Sequence, residues 1–187
     1  RKLHDDLSQF RISIGDFFHK SWVVQSKKEL INVFHEIEVL AENGVLPIIS
    51  LCMHGDKDKG LLTVGSGEFL SWNDLILALR RINVKTKNNV CVVSSACESY
   101  HMINAIKILE PVPFHTLIAP EEMVSFGFID DNFSRFYRKI LESNDLNNAF
   151  LDISSCFKSF NCQKIFVTAF GQYIKYFCMG KTLHARK

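Results

Sequence analysis

The sequence predicts an α/β protein in which one mainly parallel sheet lies between two layers of helices, followed by a helical C-terminal part. Two runs rich in Val, Ile and Leu, residues 46–53 and 89–96, are typical of buried strands of a parallel sheet. An amphipathic segment from Ser71 to Ile82 lies between them and is long enough for the crossover that a parallel pairing needs. This alternation extends over residues 10–120 and indicates a three-layer sandwich.

Local patterns predict the elements before the second strand. Residues 10–18 alternate apolar and polar side chains in part, which favours a first strand that weakens at Gly15-Asp16. The next segment begins with Ser26-Lys-Lys-Glu29, which has the spacing of a capping box. Apolar residues then recur at helical intervals until Asn43-Gly44, which predicts a helix between these two signals.

The middle of the chain predicts a hairpin, a helix and a further strand. A charged, Gly-rich stretch starts at Asp56. Within it a small hairpin is predicted, whose turn is Gly65-Ser66-Gly67 and whose strands are residues 61–64 and 68–70. Ser71 is a second helix N-cap. After Cys97 the apolar spacing predicts a helix that ends before Pro111, and then a strand over residues 115–119.

Downstream of Pro120 the pattern is helical. We expect three apolar stripes, most of which form core; an exposed part could dock a regulatory domain or a second copy. The stripes contain Phe133, Phe136, Tyr137, Ile140 and Leu141, then Leu146, Phe150, Ile153 and Phe157, then Phe166, Phe170, Tyr173 and Phe177.

The composition indicates one domain of 187 residues, with a core over residues 10–150 and a helical part over 151–187. The net charge of +2 arises from 22 basic and 20 acidic residues without a like-charge block, so we expect no direct nucleic-acid or membrane partner. Several of the six cysteines lie in apolar runs, which favours reduced thiols and a cytoplasmic location. The missing initiator Met suggests a domain cut from a longer protein.

Two reactive residues follow the two central strands. The first strand leads to His54-Gly55 and the second to Cys97-Glu98. Because the carboxyl ends of parallel strands meet at one edge, we expect His54 and Cys97 to lie together there. An imidazole can take the proton of a thiol and later protonate a leaving amine. Gly55 allows a backbone N–H to approach an oxyanion, and Cys97 is expected at the start of a helix, where free amides favour a thiolate.

These motifs resemble the caspase-like (clan CD) cysteine peptidases, and most of all the bacterial caspase-like and CHAT-type domains. The resemblance rests on Leu-Pro-Ile-Ile-Ser-Leu-Cys-Met-His54-Gly55, on Ser-Ser-Ala-Cys97 and on Leu-Ile-Ala-Pro120. The segment from Asp131 to Phe150 also resembles the helices that follow the fourth strand in that family. The match covers residues 10–150.

The resemblance implies a cysteine endopeptidase that needs no cofactor or metal. In this family His54 would be the general base and acid, Cys97 the nucleophile, and the amides of Gly55 and Cys97 the oxyanion hole. Relatives of this kind are effectors restrained until a regulatory domain or partner protein triggers them, in bacterial stress or phage defence, and oligomers are compatible with this. The substrate would be a protein or peptide.

The sequence departs from the family around the cysteine. Caspases proper carry Gln before Ala-Cys and Arg-Gly after it, and metacaspase-like members carry an acidic residue two positions before the cysteine. Here the sequence is Ser95-Ala-Cys-Glu-Ser99, so neither aspartate nor basic specificity is supported. An acidic pocket could come from Glu98, Glu121 or Glu122, although charged residues at a helix start are more often solvated.

Two alternatives remain open. Cys52 and His54 share a strand face, and Cys97 and His101 share a helix face, so these four residues could form a tetrahedral zinc site. In the duller interpretation Cys52 packs in the core and His101 is an exposed helix residue. The other alternative is a catalytically idle caspase-fold interaction module.

Overall fold

The computed structural model describes residues 2–14, 17, 19–107 and 109–178. Its strands form two sheets. In chain order the strands are β1 (Ile48–Leu51), β2 (His54–Asp56), β3 (Gly60–Thr63), β4 (Glu68–Leu70), β5 (Cys91–Ser94), β6 (Thr116–Ala119) and β7 (Lys158–Asn161). The central sheet has the order β1-β5-β6-β7, with the first three strands parallel and β7 antiparallel to β6. Strands β2, β3 and β4 form a small antiparallel sheet.

Helices cover both faces of the central sheet. In chain order the helices of the protein are α1 (Lys2–Ile14), α2 (Lys27–Glu42), α3 (Trp72–Lys85), α4 (Phe126–Ser143), α5 (Leu146–Phe150) and α6 (Cys162–Tyr173), with a 3-10 helix (Ser99–Ala105) after β5 and a π-helical turn (Ile174–Cys178) after α6. Buried residues of α2 and α3 pack on one face, and those of α4 on the other. The protein is therefore a mixed α/β protein whose mostly parallel sheet is flanked by helices, as predicted.

The alternation of side chains along the strands separates the two cores. Val92 and Leu117 point into the core under α2 and α3. Their sequence neighbours Val93 and Ile118 point into the core under α4. All four side chains are almost completely buried, as expected for a sheet covered on both faces.

The predicted helix caps are present in the structure. The Ser26 hydroxyl accepts a hydrogen bond from the Glu29 amide at 3.2 Å, and the Glu29 carboxylate accepts one from the Gln25 amide at 2.8 Å. The Ser71 hydroxyl accepts from the Asp74 amide at 3.2 Å. These bonds satisfy free amides of the first turns and fix where α2 and α3 begin.

The predicted first strand is wrong, because α1 is helical as far as Ile14. Leu3, Leu7 and Phe10 recur at helical spacing and pack toward α4, so the helical period that starts upstream outweighs the short alternation. Arg138 of α4 lies over the Phe10 ring at 4.6 Å. Gly15, Asp16 and Phe18, which belonged to the same prediction, lie outside the described residues.

The C-terminal part differs from the prediction in two ways. Helix α5 ends at Phe150, and the chain then forms β7, a strand that the helical stripes did not predict. The last stripe is not core: every residue from Gln163 to Lys175 is exposed. In the part of the chain that the structure describes, no helix is long and apolar enough to cross a membrane.

Candidate active site

The carboxyl ends of β1 and β5 meet at one edge of the central sheet. These strands are parallel neighbours, and Leu51 at the end of β1 is paired with Ser94 at the end of β5. His54 and Cys97 each follow their strand end by three residues. The structure therefore brings both sequence-predicted residues to the same edge, which is where open parallel sheets bind ligands.

The sequence predicted that His54 ends the strand that begins at Leu46, but the structure places His54 in a different strand. Strand β1 ends at Leu51, the chain turns at residues 52–53, and His54 begins β2 opposite Leu62 of β3. The imidazole is exposed. The small antiparallel sheet thus carries His54, whereas the central sheet carries Cys97.

Gly55 is the residue at which these two segments touch. A Cβ atom here would lie 2.2 Å from the carbonyl oxygen of Cys97 and 3.1 Å from the Cβ of Ala96. Because this contact is far shorter than carbon and oxygen tolerate, only glycine fits without a shift of the main chain. Gly55 and Cys97, to which the resemblance assigns the oxyanion hole, therefore touch each other through their main chains.

Hydrogen bonds fix the main chain around Cys97. The amide and the hydroxyl of Ser95 both donate to the Leu51 carbonyl, at 2.9 and 3.2 Å. The buried Ser99 hydroxyl donates to the Ala96 carbonyl at 2.6 Å. Glu98 has a left-handed φ of 57°, which turns the chain sharply after Cys97. These contacts hold Cys97 in a tight turn at the end of β5.

The expected α-helix after Cys97 is wrong. The structure contains a seven-residue 3-10 helix, which begins at Ser99 and ends well before Leu109. The Glu98 side chain makes no capping hydrogen bond. Since Cys97 lies outside the first turn of this short helix, helix amides do not account for activation of its thiol. Activation would have to come from a neighbouring base.

The thiol of Cys97 is partly exposed and already has a hydrogen-bond partner. Its Sγ donates to the Val124 carbonyl at 3.8 Å. Val124 belongs to residues 120–125, which we call the β6–α4 segment. This segment also accepts from the amides of Glu98, at 3.2 Å, and Tyr100, at 2.9 Å. A thiol that is engaged with a carbonyl is not paired with an imidazole, so this is a resting arrangement.

Cys91 and Cys162 are poor candidates for the nucleophile. Burial raises the pKa of Cys91 to about 12 and that of Cys162 to about 11. Both remain protonated near neutral pH, where a thiolate is required for attack. Cys52 and Cys156 are exposed, and their side chains share hydrogen bonds with the hydroxyls of Ser50 and Ser155.

The three acidic residues suggested for a substrate pocket have different surroundings. The Glu98 carboxylate accepts from the Lys57 amide at 3.3 Å. Glu121 forms an ion pair with Lys158, and this contact raises the pKa of Lys158. The side chain of Glu122 is exposed. Glu121 is therefore already neutralised, which leaves Glu122 as the freest carboxylate of the three.

The four residues of the predicted zinc alternative do not form a cluster. Within the described ranges, no group of three or more His, Cys, Asp or Glu side chains could hold a metal ion. Cys52 is exposed, which also contradicts its predicted place in the core, and its Sγ lies 3.6 Å from the Ser50 hydroxyl. Cys97 and His101 do not share an α-helix, since the helix after Cys97 is 3-10.

A cavity of about 320 Å³ lies at the opposite edge of the central sheet. Cys91, Thr116 and Asn161 line it, and they stand at the amino ends of β5 and β6 and at the end of antiparallel β7. His115 also lines it and shares a hydrogen bond with Thr116. This cavity is remote from His54 and Cys97, so it is not a substrate site for them.

The contacts that frame the site have little signal in the sequence. The Trp72 indole donates to the Lys57 carbonyl at 2.8 Å, and the Lys57 amide donates to Glu98. Helix α3 thereby holds the loop between β2 and β3 against the residue that follows Cys97. Lys57, Trp72 and Val124 are far from Cys97 in the sequence, and no motif marks them. The one local signal is Pro120, which begins the β6–α4 segment.

Compared with known proteins, the chain matches no family model, no curated protein and no solved structure. The caspase-like resemblance therefore stays a prediction.

Proposed function

We propose that this chain is a caspase-like cysteine endopeptidase that hydrolyses peptide bonds through a dyad of His54 and Cys97. One observation carries the proposal: the Gly55 main chain packs on the Cys97 carbonyl, at the edge where β1 and β5 both end. Only glycine at position 55 allows this contact. The contact holds the segment that carries His54 beside the turn that carries Cys97. In the described residues His54 and Cys97 share no hydrogen bond, and in the proposed mechanism this bond forms when substrate binds.

In the proposed acylation step, His54 takes the proton of the Cys97 thiol. The sulfur then forms a bond to the carbonyl carbon of the scissile peptide. The amides of Gly55 and Cys97 donate to the oxygen that becomes negatively charged. His54 then gives its proton to the departing nitrogen, the C–N bond breaks, and an amine leaves.

In the proposed deacylation step, water takes the place of the amine. His54 removes a proton from the water as its oxygen attacks the thioester carbon. The C–S bond breaks, the proton returns to sulfur and the carboxylic acid product leaves. Both half-reactions use the same two side chains, so no further catalytic group is required.

We infer that the β6–α4 segment restrains this dyad at rest. Its Val124 carbonyl is the acceptor of the Cys97 thiol, and its main chain is anchored to Glu98 and Tyr100. To reach His54, the thiol has to release this carbonyl. A trigger that shifts the segment would therefore activate the enzyme, which agrees with a regulated effector in bacterial defence.

The same contact favours a second candidate function. In an idle interaction module of this fold the thiol would stay on the Val124 carbonyl, and the His54 imidazole, which forms no hydrogen bond in the described part of the chain, would stay solvated. The fold would then serve only to present its surface to another protein.

Turnover of an unstructured protein substrate tests the proposal. We expect the purified chain to cleave such a substrate at a slow basal rate, because the hydrogen bond that holds the Cys97 thiol on the β6–α4 segment is weak. Cys97→Ala and His54→Ala should each lower this rate by at least about a hundredfold. Cys52→Ala and His101→Ala are matched controls, because they change the same residue types outside the dyad. Both controls should retain the activity.

Two outcomes would contradict the peptidase. Absence of cleavage, together with no labelling of Cys97 by a peptidyl electrophile, would favour the idle module. Loss of activity in the Cys52 and His101 variants, with zinc bound to the purified chain, would favour the metal site.

A further inference from the structure

Helix α6 and the π-helical turn after it stand largely apart from the rest of the protein. Cys162, the first residue, is buried, but every residue from Gln163 to Lys175 is exposed. A single helix of this length is marginal in water, because most helix stability in proteins comes from packing an apolar face. This segment therefore lacks the contact that usually stabilises a helix.

The exposed side chains of the segment include an ordered aromatic stripe, formed by Phe166, Phe170, Tyr173 and Phe177. Their spacing of four, three and four residues is that of the seam of a coiled coil. The rings stack in pairs, with centroids 5.9 Å apart for Phe166 and Phe170 and 5.0 Å apart for Tyr173 and Phe177. Each of the four side chains is between 53 and 70% exposed.

The opposite face of the helix is polar. At 100° per residue, Lys164, Thr168 and Gln172 lie on the side away from the aromatic stripe, and Lys175 follows them in the π-helical turn. The lysines carry the only charges of residues 162–178. A helix that packs through the aromatic stripe would keep both charges in water.

The apolar area of the segment suits a contact between two proteins. The four aromatic residues of the stripe expose roughly 500 Å², given their exposed fractions and about 150–250 Å² for a whole aromatic side chain. With Ile174, which borders the stripe, the apolar area is about 600 Å², the lower end of what each partner buries in a specific interface. A patch of this size is also at the upper end of what monomers expose.

We infer that the aromatic stripe is the contact surface of a homodimer, in which α6 of one copy packs against α6 of a second copy. The surface is self-complementary, as a two-fold contact requires, since each copy contributes the same apolar seam with its lysines outside. The inference is independent of the peptidase proposal, because the stripe and the dyad share no residue.

Sedimentation equilibrium of the whole chain, at about 1–100 µM, tests this inference. We expect a dimer for the wild type and at least about a hundredfold weaker association for Phe170→Glu, which places a charge in the centre of the seam. Gln172→Glu introduces the same charge on the polar face of the same helix and should still dimerise. Because α6 is exposed, neither variant should unfold the domain, which circular dichroism checks.

Three results would overturn the inference. A wild type that stays monomeric at the highest concentration has no such interface. A Phe170→Glu variant that dimerises as well as the wild type uses another surface. A monomer that instead binds vesicles of anionic lipid, in a way that Phe170→Glu abolishes, uses the stripe for a membrane surface.

Discussion

Gly55 sets how closely the segment bearing His54 approaches Cys97. The short distance from its would-be Cβ to the Cys97 carbonyl shows that the two main chains are in contact. A side chain here would push the small antiparallel sheet away from the end of β5. Since the two contacting partners are main-chain and buried atoms, neither can yield by a change of rotamer.

We therefore expect Gly55→Ala to reduce both stability and activity. Overpacking of this kind costs roughly 1–3 kcal/mol, which urea denaturation would detect. Gly127→Ala is the matched control: a Cβ at Gly127 meets nothing within 4 Å, and its place in α4 favours alanine. If Gly55→Ala is as stable and as active as the wild type, the two segments are not held as we describe.

Among the elements of the protein, the β6–α4 segment has the most direct link to the thiol. Its Glu121 pairs with Lys158 of β7, and Lys158 also lies 5.9 Å from the centre of the Tyr100 ring. This ion pair joins the segment to an edge strand. About half of each side chain is exposed, so the pair contributes little to global stability.

Removal of this anchor should make Cys97 more accessible. For Lys158→Met we expect labelling of Cys97 by iodoacetamide to be about two- to fivefold faster, the change that a surface ion pair of less than about 1 kcal/mol allows. Lys164→Met removes an exposed lysine of α6, far from Cys97, and should leave the rate unchanged. An equal rate in the two variants would show that the segment does not restrain the thiol.

The link between α4 and the turn after α5 depends on pH. Asp152 accepts a hydrogen bond from Lys139 at 2.8 Å and pairs with Arg135 at 3.2 Å, and these cations hold the pKa of its carboxyl below 3.8. A carboxyl whose pKa is lowered by folding stabilises the protein above its unfolded pKa, and this contribution is lost as the pH falls through the folded pKa.

The stability of the wild type should therefore decline as the pH falls below about 4, and part of this decline should be absent in Asp152→Asn. Thermal unfolding at pH 7 and pH 3 measures the difference. Asp58→Asn, which changes an exposed loop carboxylate, is the control and should follow the wild type. Identical pH dependence of Asp152→Asn and the wild type would refute the role of this ion pair.

Elements with strong local signals could be predicted from the sequence. Helices α2 and α3 have serine caps and a helical apolar period, and β1 and β5 are short apolar runs. Helix α1 could not be separated from a strand, because the short alternation in residues 10–14 competes with the helical period of Leu3, Leu7 and Phe10. Strand β7 was missed because Lys158 and Ser159 are exposed, and pairing with β6 rather than burial makes it a strand.

At the scale of the whole molecule, the parallel order of the central sheet determines where reactive residues can meet. The two apolar runs were enough to predict that His54 and Cys97 lie at one edge, since parallel neighbours end together. The Val124 contact could not be predicted, because it depends on how a loop folds back over the end of β5. The sequence thus indicated the edge at which His54 and Cys97 lie but not the contact between the Cys97 thiol and Val124.

The whole arrangement separates the proposed activity from the other surfaces. His54 and Cys97 lie at the carboxyl edge of the sheet, the cavity beside His115 lies at the amino edge, and the aromatic stripe lies on α6. A substitution in the cavity or in the aromatic stripe should therefore leave the reactivity of Cys97 unchanged. This separation makes a direct test of the dyad interpretable.

The rate at which each cysteine reacts with iodoacetamide at pH 7, read by mass spectrometry in the wild type and in His54→Gln, tests the dyad most directly. Exposed Cys52 and Cys156 are controls within the same molecule. If His54 activates Cys97, then Cys97 reacts about tenfold or more slowly in His54→Gln than in the wild type, while the rates of both controls stay unchanged. An equal rate for Cys97 in the two proteins would contradict the dyad.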